Sequence, residues 1–122
     1  MFELNNRTAL VTGAATGLGQ AAAVALTKAG AKVAISDRPG ESLAETASLC
    51  ADCGHSTYSV EIDVRDIDQI RTGVAAVESE FSHIDILVSN AGINRPMAGL
   101  DVDQENWDDH FNTNILGGFF CA

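Results

Sequence analysis

Short apolar runs alternate with longer helical patterns along the whole chain. The apolar runs predict strands at residues 7–11, 32–36, 56–62 and 85–89, and the longer patterns predict helices at residues 18–29, 41–50, 67–81 and 104–120. The connections between the strands are too long for hairpins and long enough for crossover helices. We therefore expect an α/β fold with a parallel sheet.

The third predicted strand differs from the other three. Tyr58, Val60 and Ile62 alternate with polar residues, which is typical of a strand with one lightly covered face, as at a sheet edge. The other runs are continuously apolar, which is typical of strands covered on both faces. Right-handed crossovers, with a ligand loop after the first strand, then predict a doubly wound sheet with the strand order 3-2-1-4.

The last predicted helix carries an apolar stripe along one face. The stripe consists of Trp107, Phe111, Ile115 and Phe119. Asn114 lies on the same face, so we expect a buried amide, which needs hydrogen-bond partners. Gly117 and Gly118 each cost about 1 kcal/mol relative to alanine inside a helix, which predicts close packing or an early helix end.

Composition limits the possible partners. The chain of 122 residues is 46% hydrophobic and has a net charge of −10, which is typical of one soluble globular domain over residues 1–122. The negative charge argues against nucleic acid or an anionic membrane as a partner. No apolar run approaches the length of a membrane span and no signal-peptide pattern is present, so we expect a cytoplasmic protein.

Cys50 and Cys53 form a C-x-x-C pair close to His55. A zinc site requires four ligands, and Cys121 lies at the far end of the chain without a partner pair. A thioredoxin-like site would place the pair at the start of a helix, whereas this pair ends one. We interpret the two cysteines as small residues that close a helix and its loop, and we expect no metal site.

A glycine-rich loop, T-G-A-A-T-G-L-G, joins the first strand to the first helix at residues 12–19. Its glycines lack Cβ atoms, so the backbone can approach a ligand, and the N–H groups at the helix start have no helical partner. Such a helix end binds anions and suits a pyrophosphate. The candidate binding residues of this loop are Gly13, Ala15, Thr16, Gly17, Leu18 and Gly19.

Asp37 ends the second predicted strand, about 20 residues past the glycine loop. An acid at that place in a dinucleotide-binding fold accepts hydrogen bonds from the adenosine ribose, and it repels a 2′-phosphate, so we expect NAD as the cofactor in preference to NADP. Arg38 leaves NADP open, because its guanidinium could pair with that phosphate. The alternative for Asp37 is a turn former before Arg38 and Pro39.

With the glycine loop, Asp37, Asp63-Val64 and Asn90-Ala91-Gly92 in this order, the chain resembles the short-chain dehydrogenase/reductase family. The T-G-x-x-x-G-x-G loop of that family matches residues 12–19 at every position. Its Asn-Asn-Ala-Gly stretch corresponds to residues 89–92, with Ser89 in place of the first asparagine. The resemblance implies a Rossmann-type fold, of which this chain would be the N-terminal, cofactor-binding half.

The resemblance also implies roles for single residues. Asp63 would hydrogen-bond the adenine amino group beside the backbone of Val64, and Asn90, Ala91 and Gly92 would approach the cofactor. Asp63 and Val64 could instead be a strand end that leads into a helix.

Two further expectations come from the same resemblance. Asn114 would join a Ser-Tyr-Lys group and hold a water in a proton relay; its alternative is an asparagine satisfied by the backbone. Family members associate as dimers or tetramers through helices that include the last one of this chain, which implies a homo-oligomer.

The catalyst of the family is a tyrosine with a lysine four residues later. The one tyrosine of this chain is Tyr58, and Ile62 follows it four residues later. We therefore expect the sequence to stop before the catalytic pair. It would be the cofactor-binding half of an NAD-dependent oxidoreductase for an alcohol or ketone, inactive alone. The alternative is a non-catalytic nucleotide-binding fragment or partner-binding module.

Overall fold

The computed structural model describes residues 3–122 and contains a four-stranded sheet with helices on both faces. The strands are β1 (Thr8–Val11), β2 (Lys32–Asp37), β3 (Tyr58–Glu61) and β4 (Ile86–Val88). The helices are α1 (Gly17–Lys28), α2 (Ala44–Asp52), α3 (Ile67–Phe81), α4 (Gln104–Phe111) and α5 (Gly117–Cys121), with a 3-10 turn at Gly99–Asp101 and a π-helical segment at Asn112–Leu116. None of the helices in residues 3–122 combines the length and apolar character that crossing a membrane requires.

All strand pairs are parallel and the strand order is β3-β2-β1-β4, so the predicted α/β fold and strand order are confirmed. β3 lies at one edge with half-buried and exposed residues in alternation, as its sequence predicts. β4 forms the opposite edge. Its residues are only half-buried, although its apolar run is typical of a covered strand, because no further strand lies beyond it within residues 3–122.

The core has one layer on each face of the sheet. Val11 packs with Val33, Ile35 and Ala23 on the face that α1 and α2 cover. Leu10 points the opposite way, as the next residue of a strand must, and packs with residues of β2 and α3. The sheet is therefore covered by helices on both sides, which leaves its carboxyl edge as the open end.

The cysteine pair closes α2 as predicted. Cys50 is fully buried inside the helix, and Cys53 is the C-terminal capping residue. α2 itself begins at Ala44, three residues later than predicted, because the chain makes a turn before it.

The predicted helix at residues 104–120 is present as three consecutive helical segments over residues 104–121, but the prediction that its apolar stripe is buried is wrong. The π-helical segment interrupts the helix, and the stripe is exposed: Trp107 is 57% exposed and Phe119 is 74% exposed. The buried face carries Thr113 and Gly117 instead. A Cβ at Gly117 would lie 2.7 Å from the carbonyl oxygen of Val64, so close packing of small residues determines which face turns inward. This confirms the expectation of close packing at Gly117.

Candidate functional site

A cleft of about 430 Å³ opens at the carboxyl edge of the sheet. The sequence-predicted residues that line it are Gly13, Ala15, Thr16, Leu18, Asp37, Arg38, Asp63, Val64, Asn90, Ala91 and Gly92. Gly17 and Gly19 are not part of its wall. The carboxyl ends of parallel strands meet at one edge, so the fold brings together residues that are far apart in the sequence.

The three glycines of the loop have two different structural roles. Gly13 and Gly17 have φ angles of 64° and 61°, which are left-handed values that glycine adopts without strain. Gly19 is helical, but a Cβ there would overlap the carbonyl oxygen of Gly13 and lie 2.6 Å from Nδ2 of Asn90. Gly19 therefore permits the start of α1 to pack directly against its own loop.

The N-terminus of α1 is open. Its N-cap, Thr16, makes no side-chain capping hydrogen bond. Within the described residues, no hydrogen bond uses the backbone N–H of Gly17, Leu18 or Gly19. Leu18 is 82% exposed, so water or a ligand reaches this helix end. Free N–H donors at the positive end of a helix dipole fit a phosphate group.

Asn90 fastens the end of β4 to the glycine loop. Its Nδ2 donates to the carbonyl oxygens of Thr12 (3.2 Å) and Gly13 (3.1 Å). The Thr12 hydroxyl in turn accepts from the backbone N–H groups of Asn90 and Ala91, both at 3.1 Å. This role of Thr12 was not predicted from the sequence. The contacts hold the loop in one position against the neighbouring strand.

Asp37 is bonded to the glycine loop from the other side. Its Oδ2 accepts from the N–H of Ala15 at 3.0 Å, and its Oδ1 accepts from the N–H of Arg38 at 2.9 Å. Each carboxylate oxygen has two lone pairs, so the side chain retains capacity for further donors in the cleft. The Arg38 guanidinium lies 3.2 Å from a carboxylate oxygen of Glu41.

A chain of ion pairs crosses the far wall of the cleft. Arg65 donates to Asp63 (Nη2 to Oδ2, 2.9 Å), and Asp109 lies between Arg65 (3.4 Å) and Arg95 (2.8 Å). The hydrogen bond from Arg65 lowers the pKa of Asp63, and the hydrogen bond from Arg95 lowers the pKa of Asp109. Both carboxyl groups are therefore ionised at neutral pH. Neither arginine was predicted from the sequence as a site residue, although Arg65 follows Asp63 by only two residues.

Asn114 is exposed, so its predicted burial in an apolar stripe is wrong. Its Oδ1 accepts from the N–H of Ile93 at 2.7 Å, and its Nδ2 donates to the Ile93 carbonyl oxygen at 2.9 Å. Asn114 lies on the outer side of the segment because its neighbour Thr113 is the residue that turns inward and lines the cleft. The amide is satisfied by the backbone and fixes the segment after β4 to the π-helical segment.

Together these features define a class of protein. A parallel sheet whose first strand leads through a glycine loop to an open helix N-terminus, with an acid at the end of β2, is the arrangement of an α/β nucleotide-binding protein. Among residues 3–122, no three His, Cys, Asp or Glu side chains are grouped so that they could hold a metal ion. The family model for short chain dehydrogenases matches residues 7–122, and the chain belongs to the short-chain dehydrogenase/reductase family.

Individual relatives agree with this membership. The chain is 38% identical to gluconate 5-dehydrogenase of Gluconobacter oxydans (strain 621H) over 100% of its own length and 48% of the relative. It is 40% identical to galactitol 2-dehydrogenase of Agrobacterium fabrum (strain C58 / ATCC 33970) over 98% of its length and 45% of that protein. The chain thus spans about half the length of the curated relatives that it matches.

A solved structure extends the comparison to three dimensions. The crystal structure of a putative short-chain alcohol dehydrogenase from Sinorhizobium meliloti 1021 superimposes with a TM-score of 0.95 at 44% identity. The match covers 99% of this chain and 48% of that one.

Proposed function

We propose that these residues form the cofactor-binding half of an NAD-dependent oxidoreductase that interconverts an alcohol and its ketone. The observation that carries the proposal is one cleft that is lined by both the start of α1, at Thr16 and Leu18, and the Asp37 side chain. The backbone N–H groups of Gly17, Leu18 and Gly19 at this helix start have no hydrogen-bond partner among the described residues. An anion-binding helix end beside a ribose-binding acid fits a dinucleotide better than a single phosphate. When bound, the nicotinamide supplies the hydride chemistry.

Each part of the cleft has a proposed task. The helix start of α1 binds the pyrophosphate, and Asp37 accepts from the hydroxyl groups of the adenosine ribose. Asp63 and the backbone at Val64 bind the adenine. Asn90 with Ala91 and Gly92 forms the wall beside the glycine loop and keeps that loop in its binding position.

The proposed substrate is a polyol or sugar acid. The relatives described above include a gluconate dehydrogenase and a galactitol dehydrogenase, whose names both specify oxidation at a hydroxyl-bearing carbon.

For Asn114 we propose a positioning role in catalysis, because its two hydrogen bonds to the Ile93 backbone hold the segment that borders the cleft.

The 122 residues contain no Tyr-x-x-x-Lys pair. Their one tyrosine, Tyr58, lies on β3 with its ring against Phe81 at a centroid distance of 6.3 Å. This observation supports the second candidate function, in which these residues alone bind a nucleotide without turnover. The two candidates share the same cleft and differ only in whether chemistry follows binding.

We expect NADH to bind the 122-residue chain more tightly than NADPH by about tenfold, or about 1.4 kcal/mol, because the Asp37 carboxylate repels a 2′-phosphate. Isothermal titration calorimetry with both cofactors measures this difference. An assay with gluconate or galactitol and NAD should show no turnover. Tighter binding of NADPH would contradict the assignment of NAD, and absence of binding by either cofactor would contradict the proposed function.

We also propose that the chain self-associates through the exposed stripe. Trp107 and Phe111 stack with ring centroids 4.6 Å apart, and they are 57% and 47% exposed. A contiguous exposed apolar face of this kind marks an interaction surface. We expect Phe111→Glu to shift sedimentation velocity profiles from dimer or tetramer to monomer. The control Leu100→Glu changes a fully exposed apolar residue outside the stripe and should leave the assembly intact; a monomeric wild-type chain would contradict the proposal.

A further inference from the structure

The sequence between β2 and α2 forms a turn that folds Glu41 back over Arg38. Arg38, Pro39, Gly40 and Glu41 are consecutive, Gly40 has φ +94°, and the N–H of Glu41 donates to the carbonyl oxygen of Arg38 at 3.2 Å. Proline followed by a glycine of positive φ, closed by this hydrogen bond, is the pattern of a type II turn. The turn therefore determines that residues 38 and 41 lie side by side.

The two side chains at the ends of this turn form an ion pair inside the cleft. Nη2 of Arg38 lies 3.2 Å from Oε1 of Glu41, and both residues line the cleft beside Asp37. Within residues 3–122, Glu41 is the one carboxylate within ion-pair distance of Arg38. The guanidinium that could pair with a 2′-phosphate is thus held by a carboxylate of the same turn.

We propose that Glu41 is a residue that determines cofactor specificity, because its carboxylate pairs with the Arg38 guanidinium and adds a second negative charge beside Asp37. This inference rests on the proposed function, which places the adenosine ribose at Asp37. With Glu41 ionised, Asp37, Arg38 and Glu41 carry one net negative charge, and a 2′-phosphate meets repulsion. Without the Glu41 charge the three positions are neutral, and the guanidinium is free for bidentate contact with a phosphate.

The variant Glu41→Gln tests this role, because it keeps the size of the side chain and removes its charge. We expect the ratio of NADPH to NADH affinity to rise by about two- to fivefold, the range that one partly exposed ion pair supplies. The rise should shrink in high salt, since salt screens exposed charges. The matched control is Glu45→Gln, which removes an exposed carboxylate in the first turn of α2, outside the cleft, and should leave the ratio unchanged.

A double-mutant cycle separates release of Arg38 from simple loss of a negative charge. In the background Arg38→Gln, Glu41→Gln should raise the ratio less than it does when Arg38 is present. An unchanged ratio in Glu41→Gln would overturn the inference, and an equal gain in both backgrounds would overturn the claim that Glu41 acts by holding Arg38. In either case, NADH binding by the wild-type chain still supports the proposed function. Failure of the wild-type chain to bind either cofactor would overturn both.

Discussion

Replacement of Gly19 by alanine is expected to weaken NADH binding by about 10- to 100-fold. The added Cβ would overlap the carbonyl oxygen of Gly13 and crowd Nδ2 of Asn90, so the glycine loop must move away from α1. Forcing an extra carbon into a packed site costs about 1–3 kcal/mol. The displaced loop no longer presents its N–H groups at the helix start. Calorimetric titration of the variant with NADH measures the loss.

The matched control is Gly99→Ala. This change adds the same methyl group where nothing lies within 4 Å of the new Cβ, and it should leave NADH affinity unchanged. Circular dichroism verifies that both variants fold. A folded Gly19→Ala variant with wild-type affinity would show that the close packing of loop and helix is not what forms the binding site.

Replacement of Asp37 by asparagine is expected to reverse the cofactor preference. NADH affinity should fall by about tenfold or more, because hydrogen bonds to a charged acceptor contribute about 1.5–3 kcal/mol. NADPH affinity should hold or rise, since the repulsion of its 2′-phosphate is removed. Parallel titrations with the two cofactors give the ratio directly.

Two measurements keep this result interpretable. Asp37 also accepts the N–H of Ala15, so thermal unfolding shows whether the variant has lost stability in addition to specificity. Asp52→Asn removes an exposed carboxylate at the end of α2 and should leave both affinities unchanged. If Asp37→Asn lowers the affinities for both cofactors equally, Asp37 has a structural role in the loop and no role in discriminating between them.

The sheet and its open edge were predictable because they depend on local patterns. The alternation in β3 already places that strand at an edge, and the glycine loop after β1 fixes where the other strands must lie. Asp37, Asp63 and Asn90 then lie together at the carboxyl edge, because each stands at or just after the end of a different strand. Hydrophobic periodicity and the position of glycines are sufficient for this part of the fold.

The last helix shows where the same reasoning fails. Periodicity identifies an apolar face but does not say whether that face turns inward. Here the small residue Gly117 packs on Val64 at a distance that no larger side chain permits, so the large residues face outward and Asn114 is exposed. That outcome depends on the fit between two segments that are distant in the sequence.

The ion pairs of the cleft could not be predicted from the sequence, for a different reason. Asp109 of α4 pairs with Arg65 and Arg95 only because α4 meets both the segment after β3 and the segment after β4. The pairing of Arg38 with Glu41 is local, because the two residues lie at the ends of one Pro-Gly turn, although Glu41 was predicted as the start of a helix. The roles of charged residues near a cleft can therefore be assigned only when their positions in the structure are known.

We propose that α1 presents its first N–H groups to the pyrophosphate of a dinucleotide whose ribose lies at Asp37. Titration of the ¹⁵N-labelled chain with NADH, followed by amide chemical shifts, tests it most directly. We expect saturable shifts at Gly17, Leu18 and Gly19, together with shifts at Ala15 and Arg38, whose N–H groups donate to Asp37. Unchanged amides at the start of α1, with shifts confined to other surfaces, would contradict it.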